Sequence, residues 1–395
     1  MDFDLEPGFA EAPLGYAPPP STAGQDRLDR LRLIRSRRVG PATFRRLMAE
    51  HGTASKALEA LPEVAAKAGV ETYQICPEGV AHAEMKAAKR AGAAMICLGD
   101  RHYPAALAEH GQAPPILWAL GDLTLLDRPA LAMVGTRNAS SLGARMTKRL
   151  AEDLGGQGFV IVSGLARGID AIAHDAALPT GTIAVQAGGL DVMYPIENTA
   201  LAERIGKTGL RLSEQPFGLD PQARHFPLRN RIVAGLAQAV IVVEAAARSG
   251  SLITARAALD QGREVLAVPG HPLDSRASGC NLLIRDGAIL VRGAEDAVEA
   301  LGPIAAGPDD RLPKAVRPAP DAGAPEPVPP ASATPLAHKN LDAAILALLG
   351  PSPASEDQII RDTGQPAHAV AAVLSALEVA GQIERHPGGM LTRAP

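Results

Sequence analysis

The sequence predicts an α/β protein: an open parallel sheet at the centre, a small helical domain before it and a winged-helix domain after it. Apolar runs of strand length recur at residues 131–134, 159–162, 182–186, 210–212, 239–243 and 265–268, with helical patterns between them. The stretch from residue 130 to 174 reads strand, turn, helix, strand, turn, helix, and such βαβα units build parallel sheets with right-handed crossovers. A Pro- and Ala-dense segment, residues 302–338, then separates the sheet from a short apolar-patterned tail. These observations divide the chain into a loose tail (1–25), a helical N-terminal domain (26–92), the α/β domain (93–301), a linker (302–338) and the winged helix (339–395).

Composition narrows the class. The 395 residues are 46% hydrophobic and carry a net charge of −4, so any nucleic-acid site must be a local patch rather than a global basic balance. Cys76, Cys97 and Cys280 show no metal-like spacing, which suits a reduced compartment. The N-terminus has acidic residues and prolines but neither a basic start nor an apolar core, so it does not read as a signal peptide. No apolar run reaches membrane-spanning length; the run at 239–243 ends at Glu244. A soluble cytoplasmic protein is expected.

In chain order, residues 26–61 are helical in pattern and broken at Arg37-Arg38-Val39-Gly40-Pro41, where the proline suits a first helical turn. Two short helices about a glycine-containing turn fit a helix-hairpin-helix element, which touches nucleic-acid backbones, or a plain helical packing domain. Helix continues over 75–92, a strand follows at 94–98, and Trp118 reads as core. Each strand from residue 131 onward ends in a loop of small or polar residues. In a parallel sheet these loops share the carboxyl edge, where open α/β folds bind ligands. Helix N-termini there present free amides and a positive end to an anion, and Gly135, Gly164 and Gly168 would let a phosphate come close. Arg137 adds a planar fork of donors. Ser249, Gly250 and Ser251 stand before another helix.

The segment 224–237 is densely basic, with Arg224, Arg229 and Arg231 around Phe226 and Asn230 between the last two arginines. Guanidinium groups beside a ring suit single-stranded nucleic acid, phosphates on the cations and a base on the ring. The competing reading is a salt-bridged helix start with Phe226 in the core. Three helices and a terminal hairpin over 340–393 make the winged-helix pattern, with Ser355 as a helix cap. Its third helix, 367–380, has no Lys or Arg, which favours protein contact over groove reading. The linker could reach roughly 100 Å at ~3.1 Å per residue.

Several chemistries are disfavoured. There is no G-x-G-x-x-G dinucleotide fingerprint, no P-loop lysine, no G-x-S-x-G elbow and no ligand spacing for a metal. Asp170 and His174 stand one helical turn apart, but a first-turn role for the acid and a packed role for the imidazole fit better than catalysis. Asp191 and Glu214 have no nucleophile beside them. No catalytic residue, metal or cofactor is expected.

The motifs VGTRNASSLG, VSGLARGIDAIAH, Tyr194-Pro195, LSEQPFG, FPLRNRIVAGL, VVEAAARSGSLITA and VPGHPLDSRASGCNLLIRDGA, in that order, resemble the DNA-processing protein DprA (Smf) family over residues 103–291. The resemblance implies an extended Rossmann-like sheet with a helix-hairpin-helix or SAM-like domain before it and a winged helix after it. It implies a non-enzymatic, dimeric, single-stranded DNA-binding protein that protects incoming DNA and loads RecA during natural transformation and recombination. By motif, the family's site falls on Gly135, Thr136, Arg137, Phe226, Arg229, Asn230 and Arg231; Arg224 joins them by charge and proximity, and Ser163, Gly164 and Gly168 line the phosphate side. The alternative is a nucleotide-binding or nucleotide-hydrolysing protein resembling phosphoribohydrolases. Their P-G-G-x-G-T-x-x-E loop is replaced here by ARSGSLITA, without the glutamate.

Overall fold

Six apolar runs become the strands that the sequence expects, and the helices between them set the layers. The computed structural model describes residues 24–67, 72–301, 341–349, 354–380, 382–386 and 390–393. The expected tail and linker lie outside these residues, apart from Gly24 and Gln25, as does the Pro-Gly-Gly turn of the terminal hairpin. Two units are distinguished, Met1–Asp296 and Ala297–Pro395.

In the first unit, α1 (Gly24–Arg35), α2 (Pro41–His51), α3 (Ala54–Lys67) and α4 (Glu78–Arg90) precede the sheet. Gly40 caps α2 and Pro41 opens it, where a missing N–H costs nothing. Leu33, Phe44, Leu47, Met48 and Leu58 close a small core among these helices. Then follow β1 (Ala94–Cys97), α5 (Ala105–Ala108), β2 (Ile116–Gly121), β3 (Ala130–Val134), α6 (Ser141–Gly156), β4 (Val160–Ser163), α7 (Ile169–Ala177), β5 (Thr182–Val185), α8 (Thr199–Thr208) and β6 (Leu210–Ser213). The unit continues with α9 (His225–Leu236), β7 (Ala239–Val242), α10 (Ser251–Asp260), β8 (Glu264–Ala267), α11 (Ser278–Arg285) and β9 (Ile289–Leu290), after which α12 (Ala294–Leu301) begins.

The strands form one sheet in the order β1-β2-β6-β5-β4-β3-β7-β8-β9. From β6 to β9 the neighbours are parallel, while β2 runs antiparallel to both β6 and β1. Val134, Val162, Val185 and Val242 face a core shared with Ile232 and Val233 of α9 and Leu252 of α10. The alternate residues Leu131, Met133, Ile161 and Ile241 are equally inaccessible. Both faces are therefore covered, which is why these strands read as continuous apolar runs rather than alternating ones.

A second core joins α1 and α4 to the antiparallel edge, with Leu28, Leu31, Ala81 and Ala88 against Met95, Ile116, Trp118 and Leu190. At its centre the buried Glu84 carboxylate accepts from Trp118 Nε1 at 2.7 Å and from Arg35 at 2.8 and 3.0 Å. In the second unit, α13 (Leu341–Leu348), β10 (Ala354–Ser355), α14 (Glu356–Thr363), α15 (Ala367–Val379), β11 (Ile383–His386) and β12 (Met390–Arg393) enclose Ile345, Ile359, Val370, Leu374 and Leu391. Ser355 caps α14, accepting from the Gln358 amide, as the sequence indicates. No described helix is long and apolar enough to cross a membrane.

Replacing Glu84 with Ala leaves two buried donors unpartnered and should cost about 3–5 kcal/mol. Denaturant unfolding followed through Trp118, the sole tryptophan, reads this directly. A loss below about 1 kcal/mol would show that water replaces the carboxylate without penalty.

Candidate nucleic-acid interface

Strand order reverses around β3, which has β4 on one side and β7 on the other, so the crevice rule for open α/β sheets points to the loops after β3 and β7. Protein groups already bridge that crevice. The Glu244 carboxylate accepts from the Ser140 amide at 2.9 Å, its carbonyl accepts from the Thr136 amide, and Ser140 caps α6 through the Gly143 amide. The loop after β4 is closed in the same way. Asp170, in the first turn of α7, accepts from the amides of Gly164 and Ala166 at 3.1 and 3.3 Å, and the Ile169 amide donates to the Thr136 carbonyl. Of the amides expected to face an anion here, those of Thr136, Ser140, Gly143, Gly164, Ala166 and Ile169 already have protein acceptors. Burial pushes the Asp170 carboxyl up, and Arg229 and the two amides oppose the shift.

The open site lies to one side. A cavity of about 470 Å³ spreads over the loops after β3, β4 and β5. Arg137, Arg167, Tyr194, Phe226 and Arg229 are among its lining, with Val192, Met193 and Ile196 as apolar surface and Glu197 and Asp220 as acids. The exposed Arg137 guanidinium lies 5.7 Å from the centroid of the Phe226 ring, and among the described residues it has no carboxylate partner. Tyr194, 48% exposed, meets the same ring at 5.6 Å. Phe226 is thus half-buried at a cavity wall, between its two sequence readings.

Arg229 differs from the expectation of a phosphate ligand. Its Nη1 donates to the carbonyls of Gly164 and Val185, and its Nε to Asn230 Oδ1, so the guanidinium ties the ends of β4 and β5 together from below the cavity. A Cβ on Gly164 would overlap that guanidinium, which explains a glycine there better than phosphate approach does. Gly168, at φ +74°, lies against the Thr136–Arg137 backbone, and Gly135 lies against Ile169 and the Glu244 carbonyl. Arg231 points elsewhere, paired in a buried setting with Glu214. Ser163 is buried and donates to the Met133 carbonyl at 2.6 Å.

Arg224 is exposed, and its Nε meets His225 Nε2 at 3.3 Å, outside the cavity lining. Ser249 and Ser251 bond to one another at 2.7 Å, and neither they nor Gly250 line the cavity. The arginines of the basic segment are therefore split among three places, and no continuous track runs from Arg224 to Arg231. Of the expected site residues the cavity gathers Arg137, Gly164, Phe226 and Arg229; it adds Arg167, Gln186, Tyr194 and Glu197, which the sequence reading does not name as site residues. The Tyr194-Pro195 pair is the signal that could have led to them.

Asp191 and Glu214 are also engaged. Asp191 accepts from the Gly218 amide at 2.8 Å, and burial pushes the Glu214 carboxyl up while Arg231 holds it down. His174 is fully buried. Its Nδ1 donates to Thr182 Oγ1 at 2.7 Å, because the Thr182 hydroxyl proton goes to the Ile161 carbonyl. The described residues contain no group of three or more His, Cys, Asp or Glu able to hold a metal ion. The three cysteines are free and buried.

Family models match the chain in three places: DNA recombination-mediator protein A over residues 94–302, a DprA-like N-terminal HHH domain over 24–87 and a DprA winged helix domain over 326–389. The chain belongs to the DprA (Smf) family. A DprA relative, the DNA processing protein of Streptococcus pneumoniae, is 49% identical over 199 residues, covering 50% of this chain and 70% of that protein. Protein Smf of Escherichia coli is 40% identical over 299 residues, covering 75% and 76%. The solved structure of the S. pneumoniae DprA superposes with a TM-score of 0.51 at 47% identity, over 52% of this chain and 73% of that one. DprA membership accounts for the three-part architecture: helix-hairpin-helix, Rossmann-like sheet and winged helix.

Burial pushes the His174 imidazole down to about 3 from 6.5. The unfolded chain then takes up a proton that the folded chain refuses, so stability falls as pH drops from about 6.5 toward 3, by up to ~1.4 kcal/mol per unit. Chemical denaturation at pH 7 and pH 5 should show the wild type losing about 2 kcal/mol more than His174→Asn, in which this titration is absent. Equal losses would place the imidazole in water.

Proposed function

We propose that the chain binds single-stranded DNA at the cavity over β3, β4 and β5, without chemical turnover. One observation carries this reading: the Arg137 guanidinium, free of any carboxylate among the described residues, stacked on Phe226, with Tyr194 against the same ring. A cation able to hold a phosphodiester beside rings able to hold a base suits unpaired nucleotides, and a duplex keeps its bases stacked away from such a wall. Membership in a family described as DNA recombination mediators supports a nucleic acid as ligand. Engagement of Asp170, Asp191, Glu214 and Glu244 in structural bonds supports binding rather than reaction.

The reading extends to the role in transformation and recombination. A single strand held at Arg137 and Phe226 is protected and then handed to RecA, and a homodimer joining two cavities gains avidity without new contacts. The protein acts in the cytoplasm. The winged helix, with no Lys or Arg on α15, serves protein contact.

Fluorescence anisotropy of labelled single-stranded and duplex oligonucleotides across a salt series tests the site. The wild type should prefer the single strand, with affinity falling steeply with salt. Arg137→Ala should weaken binding and flatten the salt slope by about 0.7 for each phosphate that is no longer neutralised. Phe226→Ala should cost about 1–3 kcal/mol with the slope unchanged, as the removal of stacking requires. Arg137→Ala binding like wild type would move the site elsewhere. Release of free base from nucleoside monophosphates would overturn the non-enzymatic reading.

A further inference from the structure

We propose that Glu197 withholds Arg167 from the DNA phosphate, so that Arg167 is a second, latent phosphate ligand of this cavity. The proposal rests on the reading above and concerns how that site is regulated. Arg167 stands on the loop after β4, and Glu197 on the short turn after Tyr194-Pro195; both line the cavity. Arg167 Nη1 lies 3.5 Å from Glu197 Oε1, and each side chain is 58% exposed. Arg229, the third arginine of the lining, is spent on carbonyls, so Arg137 and Arg167 are the two that can turn toward a ligand.

The pair is weak by construction. A charge-assisted hydrogen bond is ordinarily about 2.7–2.9 Å long, and exposed pairs at longer range contribute little. A phosphodiester oxygen can therefore take the place of the carboxylate. While Glu197 remains, it occupies the Arg167 guanidinium.

Proximity of the two groups does not depend on their attraction. Asn198 Nδ2, next to Glu197, donates to the Leu165 carbonyl at 2.9 Å, and Leu165 is buried two residues before Arg167. This side-chain-to-backbone bond stitches the turn to the loop. Neutralising Glu197 should leave Arg167 where it is and free its donors.

The test is anisotropy of fluorescein-labelled oligo-dT with the full chain as wild type, Glu197→Gln, Arg167→Gln and the double variant, across a salt series. Glu197→Gln should bind about twofold to fivefold more tightly, with a salt slope steeper by about 0.7 for the phosphate gained. Arg167→Gln should bind no more tightly than wild type, and adding Glu197→Gln to it should bring no gain, because the glutamate acts only through that arginine. Unchanged or weaker binding by Glu197→Gln overturns the proposal, as does a full gain in the double variant. A Glu197→Gln loss confined to oligo-dC also overturns it, making Glu197 an acceptor for an exocyclic amine. Collapse of binding in Arg137→Ala with no effect of Glu197→Gln removes this inference alone. Absence of oligonucleotide binding by the wild type removes both readings.

Discussion

Charge buried under the carboxyl edge of the sheet governs the rest of the molecule. Glu244 gathers amides from the loop after β3, Asp170 gathers those of the loop after β4, and Arg229 bonds the carbonyls that end β4 and β5. An unpaired ion at this depth would cost several kcal/mol, so each is tolerated only with its hydrogen bonds in place. Together they fix loops that would otherwise be free to move. The edge that faces the ligand is therefore preorganised from beneath, and binding need not order it at the time of contact.

This arrangement explains where the open surface lies. In many α/β proteins a phosphate is bound by the amides at the switch in strand order; here the amides of Thr136, Ser140 and Gly143 already have protein acceptors. What remains for a ligand is the side-chain surface further along the edge, with Arg137, Arg167, Phe226 and Tyr194 over an apolar wall. At the proposed site a ligand would meet guanidinium forks and aromatic faces rather than backbone donors. That difference favours a flexible polyanion carrying bases over a compact mononucleotide cradled by a loop.

Much of the fold was legible in the sequence. Continuous apolar runs such as 131–134 and 239–243 became parallel strands because both faces are covered, and Ser355 showed a helix start through its side-chain acceptor. Of the proposed site, part of the lining was named from the sequence. Arg137 and Phe226 stand out in the sequence, the one as a cation directly after β3 and the other as a ring within a dense basic segment. Arg229 and Arg231 looked like ligands because sequence displays charge without displaying depth. Both follow the exposed Arg224 closely along the chain, yet the rotation of α9 carries them into different interiors. Gly135 and Gly164 looked like room for a phosphate; a Cβ at either would meet Ile169 or the Arg229 side chain, which by itself accounts for the glycines. Arg167 and Glu197 meet across two loops 30 residues apart, a proximity that only the stitched turn creates.

The second core, where Leu28 and Leu31 of α1 share contacts with Trp118 and Leu190, gives the N-terminal helices a further role. Composition marks a border near residue 92, yet the helices and the sheet fall in one unit that runs to Asp296. Leu190 belongs to the loop that leads into the cavity wall at Val192 and Met193. Removing the helices would bare an apolar sheet face and loosen that wall together. The module is therefore not a mere appendage of this chain: a variant without it would need new polar residues where Leu28, Leu31, Ala81 and Ala88 now cover β1 and β2.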